Sequence, residues 1–229
     1  FCSAAMEALK DRGPDGKGLQ DGSYWSFGHR RLSIIDVPGG QQPMSDISGR
    51  YTVVFNGEIT NYRNVRTYLQ KRGHDFSTAS DTEVVLRAFI EWDEGCVYEL
   101  EGMYAFGIVD EWSERLFIAR DPLGIKPLYY KNIDNGIVFA SEIRALYASG
   151  DVRFTPAWEN FNEFLIFGSV AGEQTLHEDI CELPGGHWAT WRRNEWDMQR
   201  FWYPIREQES ELGGTDTPSL ELAVEVKSA

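Results

Sequence analysis

At 229 residues, with 42% hydrophobic and 25% charged side chains, the sequence has the length and balance of one globular domain, or one domain and a fragment of a second. This excludes a disordered or fibrous chain. Its 36 acidic against 22 basic residues give a formal charge of -14, the wrong sign for a non-specific nucleic-acid binder or for docking on an anionic membrane surface.

Residues 4–12 are expected to form a short helix stopped by Gly13-Pro14, followed by a Gly- and Asp-rich stretch to Gly22. Strands are expected at 25–28, 32–35 and 51–55, the last rich in β-branched and aromatic residues, with a loop at 37–43. Helices follow at 62–72 and from Ser80. In the second, Ser80-Asp81-Thr82-Glu83 has the pattern of a capping box, and Val84, Val85, Ala88, Phe89 and Trp92 fall on one face. After Gly102 the period shortens to two, giving strands at 105–109, 116–120, 128–130 and 137–140. Helices at 142–149 and 156–167 and strands at 187–192 and 200–203 complete the series. Strands in blocks with inserted helices make this an α+β chain rather than an alternating βαβ one. A polar linker at 207–217 and an unfinished amphipathic helix at 218–229 divide the sequence into a domain at 1–206 and the start of another at 207–229.

No run of about 18 apolar residues predicts a membrane-spanning helix, and no leader pattern opens the sequence. Cys2, Cys96 and Cys181 are too few and too scattered for a disulfide framework or a zinc site, so a reducing cytoplasm is the expected compartment. Cys96 and Cys181 read as small core residues. His29, His74, His177 and His187 have no metal-ligand spacing, and no metal is expected.

Three short segments carry candidate chemistry. Asn56-Gly57 taken alone is a turn signal, but an Asn side-chain amide beside a Gly backbone amide can also form an oxyanion hole. Glu58 adds a carboxylate suited to an ammonium group. Arg31 can hold a carboxylate bidentately, or be a solvated surface residue. Asp81 either favours the helix terminus electrostatically or joins Glu58 on a cation. Together these residues suit the carboxylate, the ammonium and the attacked carboxamide of a free amino acid.

In this order, Arg12-Gly-Pro-Asp15, Gly28-His-Arg-Arg-Leu-Ser-Ile-Ile-Asp36, Gln42-Pro-Met44, Phe55-Asn-Gly-Glu-Ile59, Ser80-Asp-Thr-Glu83, Gly102-Met-Tyr-Ala-Phe106, Ala119-Arg-Asp121, Gly124-Ile-Lys-Pro-Leu-Tyr129, Ala140-Ser-Glu-Ile143 and Leu183-Pro-Gly-Gly-His187 resemble the glutaminase domain of glutamine-hydrolysing asparagine synthetases, which are class II glutamine amidotransferases. The resemblance covers roughly residues 4–203. It implies an N-terminal-nucleophile hydrolase fold, a four-layer αββα sandwich with two antiparallel sheets between helical layers. It also implies hydrolysis of glutamine to glutamate and ammonia. The ammonia would pass to a C-terminal synthetase domain of the same chain, where ATP and Mg²⁺ activate aspartate or a related carboxylate; the glutaminase domain needs no cofactor. Homodimers are common in the family. By position, Arg31 matches the carboxylate ligand, with Leu32, Ser33, Ile34 and Ile35 adding backbone contacts. Asn56 and Gly57 match the oxyanion hole, and Glu58 and Asp81 the ammonium ligands.

The sequence departs from the family at its start. The family's nucleophile is an N-terminal Cys whose own amine is its base, in an opening Cys-Gly-Ile-x-Gly that runs on as the first strand. Here the sequence opens Phe1-Cys2-Ser3. The favoured alignment places Phe1 just after that motif, Cys2 as an ordinary strand residue and the nucleophile ahead of Phe1. Cys2 itself is the lesser candidate. Thr60 stands where the family usually has Tyr. Two other functions stay open: a silent structural module in a lactam- or amide-forming relative, and a module that binds glutamine without hydrolysing it.

Overall fold

The computed structural model describes residues 1–32, 36, 39–134, 136–148, 150 and 152–204. The expected linker and helix at 207–229 and the boundary at 206 lie outside the described residues, as do Ser33, Ile34 and Ile35.

Helix α1 (Cys2–Ala8) starts two residues earlier than expected, so Cys2 is helical and not a strand residue. The cause is packing. Cys2 and Met6 lie over Gly28, where an added Cβ would come within 2.8 Å of the Met6 Cγ. β1 (Gly16–Asp21) and β2 (Ser26–Arg31) then form a hairpin in register Gly16↔Arg31 to Asp21↔Ser26. The Gly/Asp-rich composition concealed β1. The strand expected at 32–35 lies, except for Leu32, outside the described residues, and β2 ends at Arg31. β3 (Met44–Ser45) leads to β4 (Tyr51–Ile59), which runs four residues past its expected end and therefore contains Asn56, Gly57 and Glu58.

Helices α2 (Tyr62–Lys71) and α3 (Asp81–Trp92) follow. The Ser80 hydroxyl accepts from the Thr82 amide at 3.1 Å, not from Glu83. Glu83 does not close the capping box either. It turns outside the helix and accepts the Ser77 and Thr78 amides at 2.9 and 2.7 Å. The remaining elements are β5 (Gly102–Asp110), β6 (Arg115–Arg120), β7 (Tyr129–Ile133), β8 (Gly136–Ala140), α4 (Ile143–Ala148), a 3₁₀ turn at Trp158–Asn160, α5 (Phe161–Phe167), β9 (Cys181–Glu182), β10 (His187–Arg192) and β11 (Glu195–Arg200). The last strand is thus at 195–200 and not 200–203. Arg193 and Asn194, both at positive φ, make the tight turn that pairs it with β10.

One sheet has the order β11-β10-β6-β5-β4-β3. Its outer face packs on α2 and α3 through Val53, Phe55, Ile59, Leu69, Val84, Phe89, Phe106 and Phe117. Its inner face packs on a second layer made of the β1-β2 hairpin and a sheet ordered β8-β7-β9, through Phe27, Val109, Ile118, Tyr130 and Leu183. α4 covers the far side of that layer with Leu146 and Ile143. The result is the expected αββα layering, with the second β layer in two pieces. Each fully buried large side chain here contributes about 1.5–3 kcal/mol.

Burial raises the Glu83 carboxyl, but the amides and hydroxyls of Ser77 and Thr78 outweigh it and hold the group below its ordinary value. Its stabilisation is therefore present above the ordinary glutamate range and lost as pH falls through the lowered value. Glu83→Gln is expected to cost about 1–3 kcal/mol in thermal unfolding at pH 7. The gap from wild type should narrow below the ordinary value of 4.5; a gap that persists at low pH would contradict this account.

Candidate functional site

The orientation of β4 decides what its residues can do. Opposite Gly57 stands Tyr104 on β5. The Tyr104 amide donates to Asp121 Oδ2 at 3.2 Å and its carbonyl accepts from the Asp121 amide at 2.7 Å. Both groups of Tyr104 thus face away from β4, so Gly57 and Tyr104 are a non-hydrogen-bonded pair and the Gly57 amide faces the other edge of β4. β3 covers that edge only at Thr52 and Val53. Beyond it, the Phe55 amide donates to Gln42 Oε1 at 2.6 Å and the Ile59 amide to Asp81 Oδ2 at 3.2 Å. The Gly57 amide lies on the same edge between them and has no hydrogen-bond partner among the described residues.

Side chains alternate across the same strand. Phe55 and Ile59 enter the helical face of the sheet, whereas Val54 packs between the β layers. Asn56 and Glu58 share the side of Val54. The Asn56 amide nitrogen donates to Ser141 Oγ at 3.5 Å, and Glu58 is exposed. Gly57 admits no side chain, since a Cβ would lie 2.2 Å from the Met103 carbonyl oxygen.

Asp81 is the first residue of α3 and only 4% exposed. Burial raises its carboxyl above the ordinary value; the amides of Ile59, Asp81 and Thr82 oppose this, and the Glu58 charge reinforces it. Two carboxylates sharing one place are relieved by a cation. Arg31, at the end of β2, is buried and donates from Nη2 to the Asp36 carbonyl at 2.9 Å.

Arg31, Leu32, Asn56, Gly57, Glu58 and Asp81 all line one cavity of about 560 Å³. Of the sequence-predicted site residues only Ser33, Ile34 and Ile35 fall outside the described part. The cavity is lined by β2 and β8, whose strand partners are β1 and β7 respectively. Cys2 also lines it, with its thiol donating to the Ser26 carbonyl at 3.2 Å. Ser26 and Arg31 are opposite ends of β2, roughly 16 Å apart at the strand rise per residue.

Three neighbours were missed by sequence reasoning. Gln42 joins β4 to α3, its amide nitrogen donating to Thr82 Oγ1 at 3.2 Å. Ser141 receives Asn56. His29 donates from Nε2 to the Phe55 carbonyl at 3.3 Å. Burial lowers His29 to about 4, with Phe55 opposing and Arg31 assisting, so it is neutral at pH 7. All three lay in motifs already visible, but nothing in their spacing revealed which strand they would reach. Thr60 is exposed and outside the cavity, its hydroxyl donating to the Glu101 carbonyl at 3.1 Å. Cys96 is fully buried in the outer-face core, and Cys181 packs in the core between the β layers. Among the described residues no helix is long and apolar enough to cross a membrane.

Comparison with known proteins shows the family and the fold. The family model described as glutamine amidotransferase domain matches residues 2–202. The asparagine synthetase [glutamine-hydrolyzing] 3 of Bacillus subtilis is 36% identical over 199 residues, covering 86% of this chain and 32% of the relative. The asparagine synthetase [glutamine-hydrolyzing] 1 of the same organism is 40% identical over 187 residues, covering 81% and 29%. The chain thus spans about a third of the length of these relatives. Among solved structures, the glutamine phosphoribosylpyrophosphate amidotransferase from B. subtilis, complexed with ADP and GMP, superposes with a TM-score of 0.63 at 19% identity, over 88% of this chain and 46% of that one. The likeness is one of fold.

Proposed function

Because this chain belongs to the glutamine amidotransferase domain family, we propose that its cavity binds free glutamine and releases glutamate and ammonia. The observation that carries the reading is the open edge of β4, where the Gly57 amide faces the cavity between the segment held by Gln42 and the buried Asp81. Arg31 holds the α-carboxylate, and Glu58 with Asp81 the α-ammonium, whose arrival offsets the cost of burying Asp81. A thiolate attacks the side-chain carbonyl carbon. The Asn56 side-chain amide and the Gly57 amide take the resulting oxyanion. Collapse breaks the C–N bond, ammonia leaves with the proton from the thiol, and water hydrolyses the thioester to glutamate.

The thiol belongs to an N-terminal cysteine ahead of Phe1, in an extended segment laid between β2 and β8; its free amine accepts the thiol proton. That both strands line the cavity supports this placement. Cys2 is a poor alternative, because its thiol sits at the end of β2 remote from Arg31. The names of the longer relatives support a further step. A C-terminal synthetase part, holding ATP and Mg²⁺, uses the ammonia to amidate aspartate or a related carboxylate.

The test is glutamate release by the full-length enzyme with Arg31→Ala. Loss of a charge-assisted carboxylate contact is expected to lower kcat/KM for glutamine about 10–100-fold, mostly through KM. An unchanged kcat/KM would remove Arg31 from the site. Absence of glutamate from the unsubstituted enzyme would favour a silent module.

A further inference from the structure

Past Val53, β3 no longer covers the far edge of β4. Phe55↔Phe106 is the same kind of pair as Gly57↔Tyr104, so the amide and the carbonyl of Phe55 both face that edge. A strand edge left open invites another strand. Here two side chains stand in for one. The Phe55 amide donates to Gln42 Oε1 at 2.6 Å, and the Phe55 carbonyl accepts from His29 Nε2 at 3.3 Å. The next amide on the same edge is that of Gly57.

The two side chains are not equivalent. Gln42 is bonded at both ends, since its nitrogen also donates to Thr82 Oγ1. His29 is bonded at one. With Nε2 as the donor, its other nitrogen, Nδ1, is an acceptor, and it is buried with no partner among the described residues. A buried acceptor left unpaired costs stability. That cost is carried for a single bond to the residue before Asn56-Gly57. His29 and Arg31 lie two apart on β2 and therefore share a face with Phe27, which packs in the core between the β layers. The imidazole is thus a direct tie from the strand that bears Arg31 to the strand that bears Gly57.

We propose that His29 is a positioning residue for glutamine hydrolysis: its Nε2–H holds the Phe55 carbonyl, and so keeps the Asn56 and Gly57 donors at a fixed distance from Arg31. The inference rests on the proposed glutaminase reading. The oxyanion exists only after attack, so this alignment counts in the transition state and little in the binding of glutamine. His29 takes no part in proton transfer, because its proton is held by Phe55 and its lone pair is buried.

The experiment measures glutamate release and thermal unfolding of the full-length enzyme with His29→Gln, His29→Asn or His29→Met. The Gln nitrogen can take the place of Nε2, the Asn nitrogen reaches only to the place of Nδ1, and Met fills the space without a donor. His29→Gln should keep kcat within about threefold. His29→Asn and His29→Met should lose about 10–100-fold in kcat, the cost of a displaced catalytic group, while KM stays within about threefold because Arg31, Glu58 and Asp81 are untouched. A merely structural role would lower the unfolding temperature and leave kcat of the folded enzyme unchanged. That result, or equal kcat in the Gln and Asn variants, would overturn the inference. If the Asn and Met variants do not fold, His29→Gln decides: kcat within about threefold of wild type supports the inference, and a larger loss overturns it. An unsubstituted enzyme that releases no glutamate overturns the glutaminase reading and this inference with it, whereas an active one with equal Gln and Asn variants overturns the inference alone.

Discussion

Gly57→Ala is expected to reduce glutamate release at least about 100-fold, the usual cost of losing one oxyanion donor. The new methyl group would sit 2.2 Å from the Met103 carbonyl oxygen and 2.8 Å from the Tyr104 Cα, both backbone atoms of β5. Neither can rotate aside, so β4 must move away from its partner, and the Gly57 amide moves with it. The same displacement costs about 1–3 kcal/mol of stability. Steady-state kinetics and thermal unfolding on one preparation separate the two effects. Activity should be nearly lost at temperatures where the variant is still folded. A folded variant with wild-type turnover would exclude Gly57 from catalysis.

Asp81→Asn should move activity and stability in opposite directions. The raised carboxyl of Asp81 means that the native state holds a proton more readily than the unfolded chain. Its contribution is fully present below the ordinary carboxylate value and is lost as pH rises through the raised one. Asparagine keeps an acceptor for the Ile59 amide and carries no charge. The variant should therefore unfold at the same or a higher temperature than wild type at pH 7, and the difference should vanish in acid. Glutamine, in contrast, loses one of two carboxylates on its ammonium group, and kcat/KM should fall about 10–100-fold through KM. A variant that is both less stable and fully active would contradict the assignment.

The sequence was most informative where side-chain pattern and backbone state agree. The stripe of α3 and the alternation in β5 and β6 were enough to indicate a layered α+β chain, and the resemblance carried by the ordered motifs implied the four layers. It was least informative where a backbone group or a distant partner decides. Asn56-Gly57 carries a strong turn signal, yet pairing with β5 through Ile59↔Gly102 keeps both residues in a strand. β1 was hidden because its glycines serve close approach, and Gly18 lies against the Gln42 carbonyl. The role of Gln42 depends on two partners, 13 and 40 residues away in sequence. Glu83 matched the capping-box spacing, but the preceding loop offered it four donors, from Ser77 and Thr78, and outcompeted the helix.

The alternation of amides along β4 also makes it a ruler. Successive amides on one edge of a strand repeat every two residues, roughly 6.8 Å. Gly57 and the Ile59 position fastened to Asp81 are one such repeat apart. On the proposed reading, backbone pitch would set the separation between the place for a carbonyl oxygen and the place for an ammonium group. An amino acid shorter by one methylene would then satisfy one end or the other, and discrimination against asparagine would lie in the main chain, where no side-chain substitution easily erases it.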